Sequence, residues 1–332
     1  MPRDAIGLDI GGANLKAATA SGQALSIPFE LWRNPDRLAS ELGHIRDRWP
    51  DIGVIAVTMT GELCDCFQTK RDGVRHILAA AAAAFPARAI RAWSTAGGFV
   101  SMDEANRDYM AVAAANWHAL ATFVGREMPS GPALLIDTGS TTTDIVPILN
   151  RMPGPVGKTD AERLRTGELV YTGVRRTPVC ALLGPEVAAE WFATTHDVYV
   201  RLGLLGPNPD DRSTADGRPM TGPNAHARLA RMLGGDPEIT PAEETKDLAD
   251  RAFVAQRQAI AAGIRRVVDR LPNWPRAVCV AGSGEFLAKS AWDDVCGANG
   301  PGVHALTDLL GPARSVAACA LAVAVLGAEW RL

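Results

Sequence analysis

Short apolar runs alternate with helical stretches through the first 150 residues. Ala5–Asp9 is an apolar run that closes on Asp and a glycine pair, and Leu15–Thr19 resumes beyond it. This predicts a hairpin across Gly11-Gly12. Helical periodicity over Pro35–Trp49 leads to a buried strand at Ile52–Thr58 and an alanine-rich helix at Val74–Phe85, stopped by Pro86. A strand at Ala89–Trp93 and a helix over Asp108–Arg126 follow. Ala133–Asp137 then closes on Asp again, with a Gly, a Ser/Thr run and the strand Asp144–Leu149 after it. The unit strand–Asp–Gly–polar turn–strand thus occurs twice, near residues 4–20 and 132–149, as a weak internal repeat.

The remainder reads as more helical. Pro185–Leu205 predicts a helix or helix pair, Gly206–Pro223 a long surface loop, and Ala225–Leu233 and Ala242–Leu271 helices. Arg276–Ala281 is a strand that runs into Gly282-Ser-Gly-Glu285, and the helix Pro312–Ala328 closes the pattern. Two α/β units sharing a cleft fit this order better than one closed barrel. The lobes fall at 1–130 and 131–311, the second with a helical insertion at about 185–272. The C-terminal helix, 312–332, is expected to pack back on the first lobe.

Composition narrows the function classes. At 332 residues, 47% hydrophobic and 21% charged, the chain has the makings of a self-sufficient core, and extended disorder is not expected. A net charge of −3 and 6% aromatics argue against nucleic acid as a partner, whether duplex or stacked single strand. The longest apolar stretches, Ile77–Phe85 and Ser315–Gly327, are too short to span a bilayer, so no membrane partner is expected. The opening Met-Pro-Arg-Asp enters a strand pattern at once without the apolar core of a signal peptide, so cytoplasmic location is the expectation. The six cysteines, Cys64, Cys66, Cys180, Cys279, Cys296 and Cys319, are sparse and irregular, which points to reduced thiols rather than a disulfide framework.

Candidate chemistry sits on the glycine turns. In Asp9-Ile-Gly-Gly-Ala-Asn-Leu-Lys16, Gly11, Gly12 and Asn14 offer backbone and amide donors to an anion, and Lys16 a mobile positive charge. Asp9 is suited to hold Mg²⁺ directly or through water. In Asp137-Thr-Gly-Ser-Thr-Thr-Thr-Asp144, the small polar run Thr138, Gly139, Ser140, Thr141 and Thr142 suits a phosphate or diphosphate. Asp137 is a second candidate metal ligand. Gly282, Ser283 and Gly284 follow a strand and open a helix, a setting that favours an anion or nucleotide. Glu62 and Asp65 read as a general base or as hairpin surface residues. Lys70 reads as a diphosphate partner or a solvated lysine. Arg175 and Arg176 read as an anion clamp or a surface pair.

In order and spacing, Asp9-Ile-Gly-Gly, Asp137-Thr-Gly-Ser-Thr and Gly282-Ser-Gly resemble the two phosphate motifs and the adenosine motif of the acetate kinase/sugar kinase/Hsp70/actin superfamily. The resemblance is closest to its hydantoinase/oxoprolinase-related branch. More narrowly, Thr58-Met-Thr-Gly-Glu-Leu-Cys-Asp-Cys-Phe67, Thr69-Lys-Arg-Asp-Gly-Val74 and Gly167-Glu-Leu-Val-Tyr-Thr-Gly-Val-Arg-Arg-Thr-Pro-Val179 resemble the tetrahydromethanopterin-linked one-carbon pathway proteins. Those are relatives of the methanofuran-biosynthesis ether synthase. The resemblance implies a two-lobed, ribonuclease H-like, actin-type α/β fold with a central cleft. It implies a transferase that joins an aminomethylfuran CH₂-diphosphate to the phenol oxygen of a tyramine or tyrosine derivative. Diphosphate leaves, and in bacteria the ether would be a precursor of methylofuran.

Tested against that chemistry, Mg²⁺ near Asp9, the Gly11/Gly12 backbone, Lys16 and the Ser140–Thr142 hydroxyls suit a leaving diphosphate. Asp137 and Asp144 are both candidate bases for a phenol. Many ATP-using relatives carry Thr or Ser after the first glycine turn, where this chain has Ala13-Asn14. ATP as a cofactor is therefore doubtful. Two alternatives stay open: an ATP-dependent kinase or hydantoinase/oxoprolinase-type amide hydrolase, and a non-catalytic nucleotide-binding protein. Oligomeric state is open as well, a homo-oligomer being one outcome.

Overall fold

The computed structural model describes residues 5–297 and 300–330, so the opening Met-Pro-Arg-Asp and the last two residues of the expected C-terminal helix lie outside the described residues. Two mixed sheets carry the fold. The first is built from β1 (Ala5–Ile10), β2 (Asn14–Thr19), β3 (Ala24–Pro28), β4 (Val54–Met59), β5 (Ala89–Ser94) and β6 (Gly98–Val100), in the order β3-β2-β1-β4-β5-β6. The second is built from β7 (Pro132–Thr138), β8 (Thr143–Leu149), β10 (Leu169–Val170), β11 (Val278–Ala281) and β12 (Val303–Ala305), in the order β10-β8-β7-β11-β12, with β9 (Met152–Pro153) paired to β8.

The two sheets share a plan. In each, a hairpin supplies the central strand, β1 or β7, which is antiparallel to its hairpin partner and parallel to a strand that returns after a helical crossover. All six residues of β1 are buried, as a central strand covered on both faces requires. Helices Leu38–Arg48 and Lys70–Ala84 cover one face of the first sheet with Leu42, Ile45, Val74 and Ile77 against Ile6, Leu8 and Val57. Helices Ala242–Val268 and Glu285–Cys296 cover the corresponding face of the second, with Ile260, Ile264 and Leu287 near Leu134, Ile136 and Val280.

Between the sheets lie helices Asn116–Gly125 and Ala318–Glu329. The second is apolar on every side, and both of its faces are used. It packs on β1, β2 and β4, while Cys319 and Ala322 join Leu120, Ala133, Leu135 and Cys279. Contact with β1 is so close that a Cβ at Gly7 would collide with the backbone of Ala320 and Ala324. No helix among the described residues is long and apolar enough to cross a membrane.

Several expected elements are revised. The helix expected over Asp108–Arg126 is two, Tyr109–Val112 and Asn116–Gly125, because Ala114 takes a left-handed backbone (φ 48°) and breaks the run. The expected helix over Pro185–Leu205 reduces to a 3-10 turn, Gly184–Glu186, and a helix, Thr195–Arg201. Thr194 starts that helix with a capping box to Asp197, and its backbone is bridged to Pro178 instead of continuing upstream. A short helix, Val179–Leu183, precedes both the turn and the helix. The final helix breaks into Pro312–Ser315 and Ala318–Glu329.

Candidate functional site

The two Asp–Gly hairpins have the same local geometry. Gly11 N–H donates to Asn14 O at 3.0 Å, and Gly139 N–H donates to Thr142 O at 2.9 Å. Each turn is thereby closed by its glycine, with a backbone free of Cβ at its tip. Asp9 lies opposite Lys16 in the first ladder, and Asp137 lies opposite Asp144 in the second.

The hairpins also share an electrostatic environment. Lys16 Nζ is 4.0 Å from Asp9 Oδ2. Burial works against the Lys16 charge, but Asp9, with Asp137 and the Cys319 sulfur nearby, more than offsets it and raises its pKa. Asp9 is buried and pushed up by that burial, with Lys16 pulling the other way. Asp137 is pushed up to about 7 by burial first and by neighbouring Asp144, against the pull of Lys16. Asp9, Lys16 and Asp137 thus influence one another's charge, although they stand on different hairpins.

Asp144, in contrast, is committed. The Arg163 guanidinium donates to Asp144 Oδ1 at 2.8 Å and to Glu168 O at 3.0 Å, and stacks over the Trp117 ring at 3.8 Å. Arg163 is buried. Burial raises the Asp144 pKa and Arg163 draws it back, so this carboxylate serves an internal ion pair. Sequence reasoning missed Arg163, which sits on a polar helix, Asp160–Thr166, with no motif around it.

The other candidates fall as follows. Ser140, Thr141 and Thr142 line the second turn half-exposed, whereas Thr138 is fully buried and its hydroxyl accepts from Thr143 Oγ1 at 3.3 Å, away from the turn surface. Gly282 (φ 84°) lies against Asp137, where a Cβ would collide with Oδ1 and with Thr138 O. Gly284 N–H donates to Thr138 O at 2.9 Å, and Ser283 is exposed beside them. The third glycine motif thus joins the second at one place. Gly173 packs on Gly139–Thr141, and the N–H groups of Arg175 and Arg176 both donate to Ser140 O at 3.0 Å. Arg175 is paired with Asp211. Arg176 is exposed, and its charge is felt at Cys64, whose sulfur lies against Gly12.

Glu62 is not a surface residue: it is 1% exposed. Lys70 reaches it at 3.7 Å and reaches Asp160 at 2.8 Å. Lys70 is therefore ion-paired rather than solvated. Asp65 is exposed.

The oxygen donors suit a hard cation. Asp9 Oδ1 and Thr58 Oγ1, on residues paired between β1 and β4, are buried without hydrogen-bond partners. Among the described residues no group of three or more His, Cys, Asp or Glu could hold a metal. Mg²⁺ keeps several waters and commonly takes one or two carboxylates plus phosphate oxygens, which fits Asp9 and Asp137.

The hydantoinase/oxoprolinase profile matches residues 54–325. A Methanocaldococcus jannaschii protein, named (4-{4-[2-(gamma-L-glutamylamino)ethyl]phenoxymethyl}furan-2-yl)methanamine synthase, is 32% identical over 300 residues, covering 87% of this chain and 88% of that protein. A Methanococcus vannielii protein of the same name is 28% identical over 216 residues, covering 62% of this chain and 95% of that one. Among solved structures, nucleotide-free acetone carboxylase aligns with a TM-score of 0.56 at 10% identity, over 96% of this chain and 70% of that one. The ethanolamine utilization protein EutJ of Carboxydothermus hydrogenoformans aligns at 0.50 and 11% identity, over 98% and 91%. The architecture is the two-lobed, actin-like ATPase fold.

Proposed function

Given that the chain belongs to the hydantoinase/oxoprolinase family, we propose that it is a transferase of methanofuran-type cofactor assembly. It joins a furanylmethyl diphosphate to the phenol oxygen of a tyramine or tyrosine derivative. The observation that carries this reading is Lys16, 4.0 Å from Asp9 on its own hairpin and within electrostatic reach of Asp137 on the other. The name of the M. jannaschii relative supports it, since a phenoxymethyl furan is the ether such a step yields.

The reaction breaks the CH₂–O bond to diphosphate and forms a CH₂–O bond to the phenol. The bonding pair leaves with diphosphate, and the furan ring shares the positive charge left on the carbon. Lys16, the backbone N–H groups of the turns and the Ser140–Thr142 hydroxyls neutralise the leaving group, where charge grows as the bond breaks. Mg²⁺ held by Asp9, whose Oδ1 has no hydrogen-bond partner, would add positive charge at the diphosphate. A phenol has a pKa of about 10, so its attack benefits from a base. Asp137 is the fitting acceptor, being pushed up to about 7 and free of an arginine partner. Asp144 is tied to Arg163.

The test is to incubate purified protein and Mg²⁺ with an (aminomethyl)furanmethyl diphosphate and tyramine or its γ-glutamyl derivative. Mass spectrometry then follows the ether and a phosphate assay follows diphosphate. Ether and diphosphate in equal amounts, without ATP, are expected. ADP formed from ATP with no ether would overturn the reading.

A further inference from the structure

Glu62 belongs to a charge cluster that the diphosphate chemistry leaves unused. It follows Gly61, which packs so closely on the first turn that a Cβ there would sit 3.1 Å from the Gly11 carbonyl carbon. The Glu62 side chain therefore starts one residue from the proposed diphosphate site, at the carboxyl end of β4, the edge of a parallel sheet segment where ligands collect. Its Oε1 is 3.7 Å from Lys70 Nζ, and its Oε2 is buried with no hydrogen-bond partner. Lys70 makes its short contact elsewhere, with Asp160 of the opposite lobe at 2.8 Å.

Two carboxylates thus share one ammonium. With Glu62 ionised the cluster carries one uncompensated negative charge, and an unpaired buried carboxylate oxygen is costly. Burial pushes Glu62 up to about 7, with Lys70 and the Ala114 and Glu62 N–H groups pulling down and Asp160 pushing up. One further cation would bring the cluster to neutrality and give Oε2 its missing donor. Lys70 need not be lost to admit it, because its stronger partner is already Asp160.

We propose that Glu62 Oε2 receives a primary ammonium group of the furan substrate, while Lys70 stays on Asp160. The proposal rests on the transferase reading above. The product named for the M. jannaschii relative is a methanamine, which carries such a group on the furan. A substrate with diphosphate at one end and ammonium at the other is then held at both ends, with the reacting CH₂–O bond between them. A furan without the ammonium leaves Oε2 unpaired and is rejected for that reason.

The probes are furan-2-ylmethanamine and furan-2-ylmethanol, titrated calorimetrically into the full chain at pH 8, where Glu62 is mostly ionised and the amine mostly protonated. The amine should bind about 10- to 100-fold more tightly than the alcohol, the range of one charge-assisted hydrogen bond. Glu62→Gln, nearly isosteric, should remove that preference. If Glu62→Gln does not fold, the wild-type preference should fall as pH is lowered through about 7, as Glu62 takes up a proton. Equal binding of amine and alcohol by the wild type overturns the proposal. A second arm compares kcat/KM for furanmethyl diphosphates with and without the aminomethyl group. Ether formed equally well from both sinks the ammonium site and leaves the transferase intact. Selective amine binding with ether formed from neither leaves the ammonium site standing and sinks the transferase.

Discussion

Lys16 and Asp144 stand at the same station of two matching hairpins. Each lies directly across its ladder from the aspartate near the end of the preceding strand, Lys16 from Asp9 and Asp144 from Asp137. In the first hairpin the opposite residue is a cation, 4.0 Å from its aspartate. In the second it is another acid, neutralised from the far side by Arg163 at 2.8 Å. The hairpins match in backbone and differ in charge. Lys16 is left as a cation one-third exposed, and Asp137 is left as a carboxylate without an ion-paired arginine.

Replacing Lys16 tests the first half of that division. If its ammonium neutralises the leaving diphosphate, Lys16→Ala removes a contact that strengthens as the bond breaks. Both kcat and kcat/KM for ether formation should fall by about 10²- to 10³-fold, the usual effect of losing one preorganised donor. A rise in KM alone would assign Lys16 to ground-state binding.

Arg163 is a structural counterpart. Arg163→Met should destabilise the protein by about 3–5 kcal/mol, because Asp144 is then left buried and unpaired. Asp144→Asn in the same chain should recover much of the loss, since the charge that needed a partner is gone. Urea unfolding of the two single variants and the double variant measures the coupling. A double variant no more stable than Arg163→Met would mean that the stacking on Trp117 matters more than the ion pair.

The hairpins were legible because Asp, Gly and apolar residues are local signals, and the same unit recurs 128 residues on, from Asp9 to Asp137. Their charge reversal was legible too: Lys16 and Asp144 each lie seven places beyond their aspartates, a spacing open to counting in the sequence. Arg163 was not legible, because its partner lies 19 residues away and nothing near it is apolar enough to announce burial. Asp160 hid for the same reason, since its contact with Lys70 spans 90 residues and two lobes. The break at Ala114 carries no glycine or proline to mark it, and tertiary packing decides it. Helix 195–201 was overextended upstream because an apolar-rich segment, Val187–Ala193, reads as helical while its backbone bonds outward, Ala188 N–H to Met232 O and Ala193 O from Val179 N–H.

Gly7 tests how the last helix is seated. No motif draws attention to it, but the backbone of Ala320 and Ala324 occupies the place of its missing Cβ. Gly7→Ala should force the helix off β1 and cost about 3 kcal/mol, at the upper end of overpacking. The urea midpoint should drop with an unchanged m-value. An unaltered midpoint would mean the helix is free to shift.

Asp137 carries the last expectation, which concerns pH. Its carboxyl is pushed up to about 7 in the folded protein, against an ordinary value near 4. A base must be ionised to work, so kcat/KM for ether formation should rise with pH and level off above about 7. Asp137→Asn should lose turnover and lose that limb, with residual activity flat in pH. Stability moves the opposite way. A raised pKa means the folded state holds the proton more tightly than the unfolded one, so the stabilisation is full below about 4 and is lost as pH rises through about 7. Asp137→Asn cannot ionise and should therefore gain in Tm over the wild type at pH 8, and gain little at pH 4. A Mg²⁺ titration separates the two roles of the carboxylate. Restored activity of Asp137→Asn at high Mg²⁺ would mean that Asp137 chiefly positions the ion. A flat response with diphosphate still bound is the result expected of the group that takes the phenol proton.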